Sequence, residues 1–479
     1  MTCIERIKPI YTAIAAPGSG KTEALLSKIP DLISAGKRVI LALPTLVLSD
    51  DIARRASEAG IAHRTIDRRC GEVVVPTLEK ALEDKTDSFV ICTQESIRKV
   101  RHELLDDWVL VVDELPKVVD FPDYPLKPLE LKRVLDFTED REGQLWIKDD
   151  LEKAVRDQVS VNRADARGTD CSTLGKSAAH IFRLLLSKVD VFIDQPQDNG
   201  VRHIRAVEEF TDWWDIFSSA MESHVLAASI KNSEFEVFAR VHGFHFKQSD
   251  FTPKGNLITS LVTIYPVVQR GQIFSKSLML TQDDDKHLIE VVLKKALEHT
   301  RSTPLLFANK WAGLQSTRDV EYVPKDCRGL NSYSHATEAV VLFGGNPSPS
   351  DNKGLDYLGA KYGQDFKEAF ITTRLLEPSL QAVTRTAVRC RDNTKEAHFY
   401  VQDHRVVDYL LSTYFPAARI DWSFASKIPI KRDGRKLGEQ IEEEVKRLIS
   451  HGTSISQIHR ETGVSRPKIT KMKKMHKAA

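Results

Sequence analysis

Cysteine is sparse in this sequence. Six stand among 479 residues, at positions 3, 70, 92, 171, 327 and 390, and none lies close to another. That spacing offers neither a zinc-ligand pattern nor a disulfide framework. No apolar run is long enough to cross a bilayer, and no signal-peptide pattern opens the chain. A reducing cytoplasm, with no membrane partner, is the expected setting. Net charge is nearly absent too, at +2, but its distribution is uneven. Residues 427–479 hold fourteen Lys or Arg against six Asp or Glu, which leaves the rest of the chain mildly acidic. A basic tail on an acidic body predicts a polyanion-binding module at the C-terminus. What remains is an ordinary globular composition, 41% apolar and 28% charged, with length for about three domains.

Against that plain background one stretch stands out, AIAAPGSGKTEALL, from Ala13 to Leu26. Residues 10–15 read as a short buried strand. Apolar residues recur at helical spacing after Thr22. Pro17, Gly18, Ser19 and Gly20 therefore occupy a strand-to-helix turn, where backbone N–H groups and a helix N-terminus converge on an anion. In a phosphate loop of this kind Lys21 reaches the β- and γ-phosphates of ATP and Thr22 ligates Mg²⁺. Ala15 replaces the first glycine of the full motif. A site of this kind needs carboxylates on a neighbouring strand, and WVLVVDELP supplies them. Trp108 to Val112 has the continuous apolar character of a strand buried on both faces. Asp113 at its end is the candidate metal carboxylate, acting through water. Glu114 is the candidate general base that orients and polarises the attacking water.

APGSGKT followed by DELP resembles the signature of superfamily two (DEAD-like) helicases of phage and plasmid type. The resemblance implies two RecA-like parallel-sheet lobes closing on ATP and Mg²⁺. Two further stretches match motifs that touch a nucleic-acid strand. They are VILALPTLVLSDDIA with Pro44 and Thr45, and FVICTQESI with Thr93 and Gln94. In the second lobe, CRGLNSYSHATEAVVLFG resembles the motif linking nucleic acid to nucleotide, with Arg328, Gly329, Asn331 and Ser332 in its polar loop. LLEPSLQAVTRTAVRCR resembles the arginine helix. Its Gln381, Arg385 and Arg389 lie at offsets of four and are expected on one helical face, with Arg385 or Arg389 reaching across the cleft to the transferring phosphoryl group. Thr384 stands where the family has glycine. Ala228-Ser229-Ile230 resembles the motif that couples hydrolysis to strand movement.

These readings divide the chain into a first lobe (1–120 and 224–295), an insertion expected to be helical (121–223), a second lobe (296–425), a linker (426–438) and an all-α C-terminal domain (439–479). The fold class is thus α/β with a helical insertion and a small helix-turn-helix. In the tail, residues 442–451 form an amphipathic pattern that Gly452 ends. Ser454 with Gln457 reads as a capping box, and Gly463 makes the turn into a third, basic helix. The tail is similar to the DNA-binding ends of resolvases and invertases. That likeness implies Arg466, Pro467 and Lys468 at base edges and Lys471 among the residues facing phosphates. The expected function is an ATP-dependent DNA helicase or translocase serving replication or recombination of a mobile element. Single-stranded DNA would pass through the motor, duplex DNA would meet the tail, and replication proteins are candidate partners of the insertion. A nucleotide-switched DNA-binding regulator and an RNA helicase are the alternatives.

Overall fold

The computed structural model describes residues 8–71, 73–165, 175–197, 200–254, 258, 260–283, 286–314, 318–325, 332–390, 393–430, 439–464, 466, 468–470 and 472–473. Two parallel sheets dominate. The first has seven strands in the order Phe246–Gln248, Ile10–Ile14, Glu222–Ala227, Trp108–Asp113, Arg38–Leu43, Phe89–Thr93, Arg64–Ile66. Every pairing in it is parallel. Its central strands are buried on both faces, which explains their unbroken apolar runs. Apolar layers cover both sides, one including Trp108, Trp213 and Phe217, the other Leu25, Ile29 and Ile52. The second sheet runs Glu321–Tyr322, Leu305–Ala308, Glu338–Leu342, Ala397–Val401, Val262–Pro266, Arg419–Ile420, again all parallel. The two-lobed α/β expectation therefore holds.

Two boundaries differ. Val262–Pro266 lies inside the second sheet, and Leu288–His299 packs into that lobe's core. The second lobe thus begins near 262 rather than 296. A buried strand such as VTIYP carries no mark of which parallel sheet it joins. The insertion is not helical either. Six strands form an antiparallel sheet, with Arg202–Glu209 and Asp190–Ile193 at its middle, backed by Pro128–Leu135, Glu152–Asp165 and Lys176–Leu186 as helices. The hairpin between Thr138–Arg141 and Gln144–Ile147 turns at Glu142 and Gly143, both left-handed at φ 54° and 87°. Its strands are short and half exposed, so their alternation was lost among charged residues. Trp213 and Trp214 sit in the first lobe's core rather than in the insertion.

The insertion reaches the second lobe. Helix Pro349–Tyr362 meets its sheet through Tyr357 donating to Asp190 at 2.5 Å, Lys361 pairing with Glu209 at 2.7 Å, and Lys353 pairing with Asp194 at 2.9 Å. A Cβ at Gly354 would lie 2.5 Å from Phe121, so glycine permits the close approach there. In the tail, helices Glu439–Ser450 and Ile455–Thr462 close around Val445, Ile449, Ile458, Val464 and Ile469. Ser454 caps the second helix by accepting from the Gln457 N–H, but the Gln457 amide donates to Glu461, so only half of the expected capping box forms. Among the described residues, no helix is long and apolar enough to cross a membrane.

Candidate active site

The phosphate loop leaves strand Ile10–Ile14 and enters helix Lys21–Ser34. Gly18 and Gly20 take left-handed φ of 81° and 92°, with Gly20 as the helix N-cap, Ser19 buried between them and Pro17 buried just before. The helix N-terminus therefore faces the turn with its first amides unpaired within the helix. The Lys21 ammonium donates to the carbonyls of Ala15 and Ala16, at 2.6 and 3.2 Å. Burial pulls its pKa below the ordinary lysine value, against the carboxylates of Asp113, Glu114 and Glu377. Thr22 opens the same helix.

Asp113 ends the strand two places across the sheet and is buried. Burial pushes its carboxyl up to about 6, with the Lys21 ammonium opposing. Glu114 follows at φ 67°, a left-handed conformation that a non-glycine residue adopts at a cost. Its N–H donates to the Leu226 carbonyl at 2.7 Å, and Gln94 holds the turn from the other side. The Gln94 amide donates to the carbonyls of Asp113 and Glu114, at 2.8 and 3.2 Å. Gln94, expected at a nucleic-acid backbone, is thus engaged with the carboxylate turn. Thr45 and Thr93 are engaged too: each hydroxyl accepts from the first turn of its own helix, at Leu48 and Ser96. Pro44 and Gln94 line one cavity of about 750 Å³ between the lobes, together with Glu114, Ser229, Gln381 and Arg374.

The second lobe reaches the same place by a broken path. The expected continuous helix stops at Val383. Thr384 and Thr386 turn their hydroxyls back to the carbonyls of Leu380 and Val383, both at 2.7 Å, and a short 3₁₀ turn, Ala387–Arg389, follows. Such back-bonding competes with helix propagation, so Gln381, Arg385 and Arg389 do not share a helical face. Arg385 is buried, with its guanidinium donating to Gln381 at 3.3 Å. Arg389 instead lies on the phosphate loop: a Cβ at Gly18 would fall 2.3 Å from its Cγ. Only glycine allows the guanidinium stem so near. Ser332 is exposed in the turn before strand Glu338–Leu342. Arg328, Gly329, Asn331, Pro467 and Lys471 lie outside the described residues. Arg466 is exposed and Lys468 half-buried at the start of the third tail helix, and neither lines the cleft cavity.

The sequence reading missed three cleft residues, Glu234, Thr373 and Arg374. Glu234 is 3% exposed, and burial pushes it up to about 7 against the opposing Arg374 guanidinium. Arg374 stands in the otherwise apolar or uncharged run ITTRLL, and a lone charge in such a run was the available signal.

Residues 3–125 match the DEAD/DEAH box helicase family. The match spans the phosphate loop, both strand-to-helix turns and the carboxylate box, about a quarter of the chain. Two solved structures resemble the chain at greater length. Xpd4 of S. tokodaii and an XPD helicase each align over 86% of this chain and 96% of their own, with TM-score 0.52 and 12% identity. At that identity the likeness is one of fold: paired RecA-like lobes. No curated protein matches the sequence. The DEAD/DEAH box match ends before the second lobe, so the arginine segment rests on its own geometry.

Proposed function

We propose that the chain is an ATP-dependent DNA helicase or translocase. The observation that carries the reading is Arg389 of the second lobe lying against Gly18, on the phosphate loop whose Lys21 feels the charges of Asp113 and Glu114. The cleft suits a magnesium triphosphate. Gly18 keeps the turn free of a side chain beside the Arg389 stem, and the buried Asp113 carboxyl, held up at about 6 despite the Lys21 ammonium, would gain from the further positive charge of a divalent cation. Thr22 and Asp113 would hold Mg²⁺, which when bound neutralises phosphate oxygens. Gly18 to Thr22 would cradle the phosphates with backbone amides, Pro17 would fix the entry to the turn, and Gln381 would border the nucleotide. Glu114, fixed by Leu226 and Gln94, would take the proton from the attacking water at a carboxylate oxygen. Arg389 would stabilise charge on the transferring phosphoryl group, with Arg385 held ready by Gln381.

DNA as the track is favoured by the basic, three-helix tail, in which Arg466 and Lys468 are suited to duplex and would bring the motor to one site. Replication or recombination of a mobile element is the context that this architecture fits, with the insertion as a platform for replication proteins. Hydrolysis measured in parallel with no nucleic acid, single-stranded DNA, duplex DNA and RNA tests the proposal. Stimulation by DNA above RNA supports it. Stimulation by RNA alone makes the chain an RNA helicase, and unstimulated slow turnover makes it a nucleotide switch.

A further inference from the structure

The segment that delivers the arginines begins with a π-helical turn, Thr372–Leu376, between helices Lys367–Ile371 and Glu377–Val383. Such turns carry an extra residue and recur at functional positions. This one faces the first lobe. Thr373 accepts from the Glu234 N–H at 3.0 Å. The Arg374 guanidinium donates to the Val119 carbonyl at 3.3 Å and lies 3.7 Å from the Glu234 carboxylate. Nearby, the Asn232 amide donates to Glu368 at 2.7 Å. Val119 follows the Glu114 turn by five residues, and Asn232 and Glu234 follow the Ser229 turn. One guanidinium thus spans the loops leaving two first-lobe motifs.

From behind, the turn is held by its own lobe. Lys325 donates to the Arg374 carbonyl at 2.9 Å, and a Cβ at Gly345 would fall 2.4 Å from that same oxygen. The guanidinium itself is less settled. Among the described residues its Nε and the Glu234 Oε1 are buried without hydrogen-bond partners, and both residues line the 750 Å³ cavity with Glu114. The backbone is fixed while the side-chain pair has bonds still to make. That is the condition for a contact that tightens when the lobes shift.

We propose that Arg374 is a positioning residue for triphosphate hydrolysis: through Glu234 and Val119 it sets the Glu114 turn in register with the segment carrying Arg389. It touches no reactant. The inference rests on reading the cleft as the hydrolytic site. The test measures steady-state ATP hydrolysis by the full chain and by Arg374→Ala, Arg374→Lys, Glu234→Gln and the double variant Arg374→Ala with Glu234→Gln. Misplacement of a catalytic group is expected to lower kcat on the order of 10- to 100-fold in Arg374→Ala while KM for ATP stays within about twofold. Arg374→Lys should recover part of the loss, and the double variant should lose no more than Arg374→Ala alone, because Glu234 acts through its contact with Arg374. Unchanged kcat in Arg374→Ala, or a fall matched by equal loss of folded protein and undiminished by lysine, overturns the inference while leaving the hydrolytic site intact. Absence of hydrolysis by the unaltered chain overturns the site reading itself.

Discussion

The two lobes face one cleft with different materials. The first presents strand ends: Gly18, Gly20, Asp113 and Glu114 sit where buried parallel strands give way to turns, and each turn is bonded to a neighbouring strand or loop. The second presents a chain that is helical, π-helical, helical again and then 3₁₀ within about twenty residues. Its arginines are placed by threonine hydroxyls and side-chain contacts, not by a sheet edge. A half built from sheet-bonded turns and a jointed half that brings arginine to it would suit the proposed motor, whose lobes would open and close on a nucleotide.

The sharpest way to break this comparison is to remove the jointed half's charge. Arg389→Ala should lower kcat for ATP about 10³-fold or more with modest change in KM, and lysine should not restore it. Hydrolysis close to the unaltered rate would deny the second lobe its part. Glu114→Gln attacks the sheet-bonded half and should cost on the order of 10²- to 10⁴-fold in kcat, read in the same assay.

Asp113 gives a gentler handle. Its folded pKa, about 6, lies above the ordinary carboxylate value of 3.8. Below pH 6 the carboxyl takes up a proton that a metal must displace, so the Mg²⁺ concentration for half-maximal hydrolysis should rise as pH falls through 6, by about tenfold per unit. The same raised value means that ionising this group weakens the fold as pH climbs from 3.8 through 6. Asp113→Asn should therefore raise stability toward urea at pH 7 but not at pH 4, while abolishing hydrolysis. Equal effects at both pH values would contradict the burial argument. The smallest effect belongs to the seam between insertion and second lobe. Tyr357→Phe removes a hydrogen bond to the Asp190 carboxylate and should cost roughly 1–2 kcal/mol of stability in urea titration, leaving the ATP affinity as it was.

The same contrast governs what can be read from the chain. Strands buried on both faces leave unbroken apolar runs that end in Thr93 or Asp113, and glycines at left-handed positions leave PGSGKT, so the first lobe's half of the site was legible. The arginine segment was legible in composition but not in shape. Offsets of four promise one face only if the helix continues, and Thr384 ends it locally. Arg374 and Glu234 matter through contacts between residues about 140 apart, which no local pattern carries. The insertion's short strands were hidden by their exposure. Val262–Pro266 was not singled out, and a short buried strand carries nothing that says which sheet it joins.

Binding of ADP with aluminium fluoride, a mimic of the transferring phosphoryl group, tests the shared cleft most directly. For the unaltered chain it should be far tighter than binding of a non-hydrolysable ATP analogue, and Arg389→Ala should lose about 10³-fold in the first while changing the second only a few-fold. Equal losses for both ligands, or none for either, would contradict a site completed across the lobes.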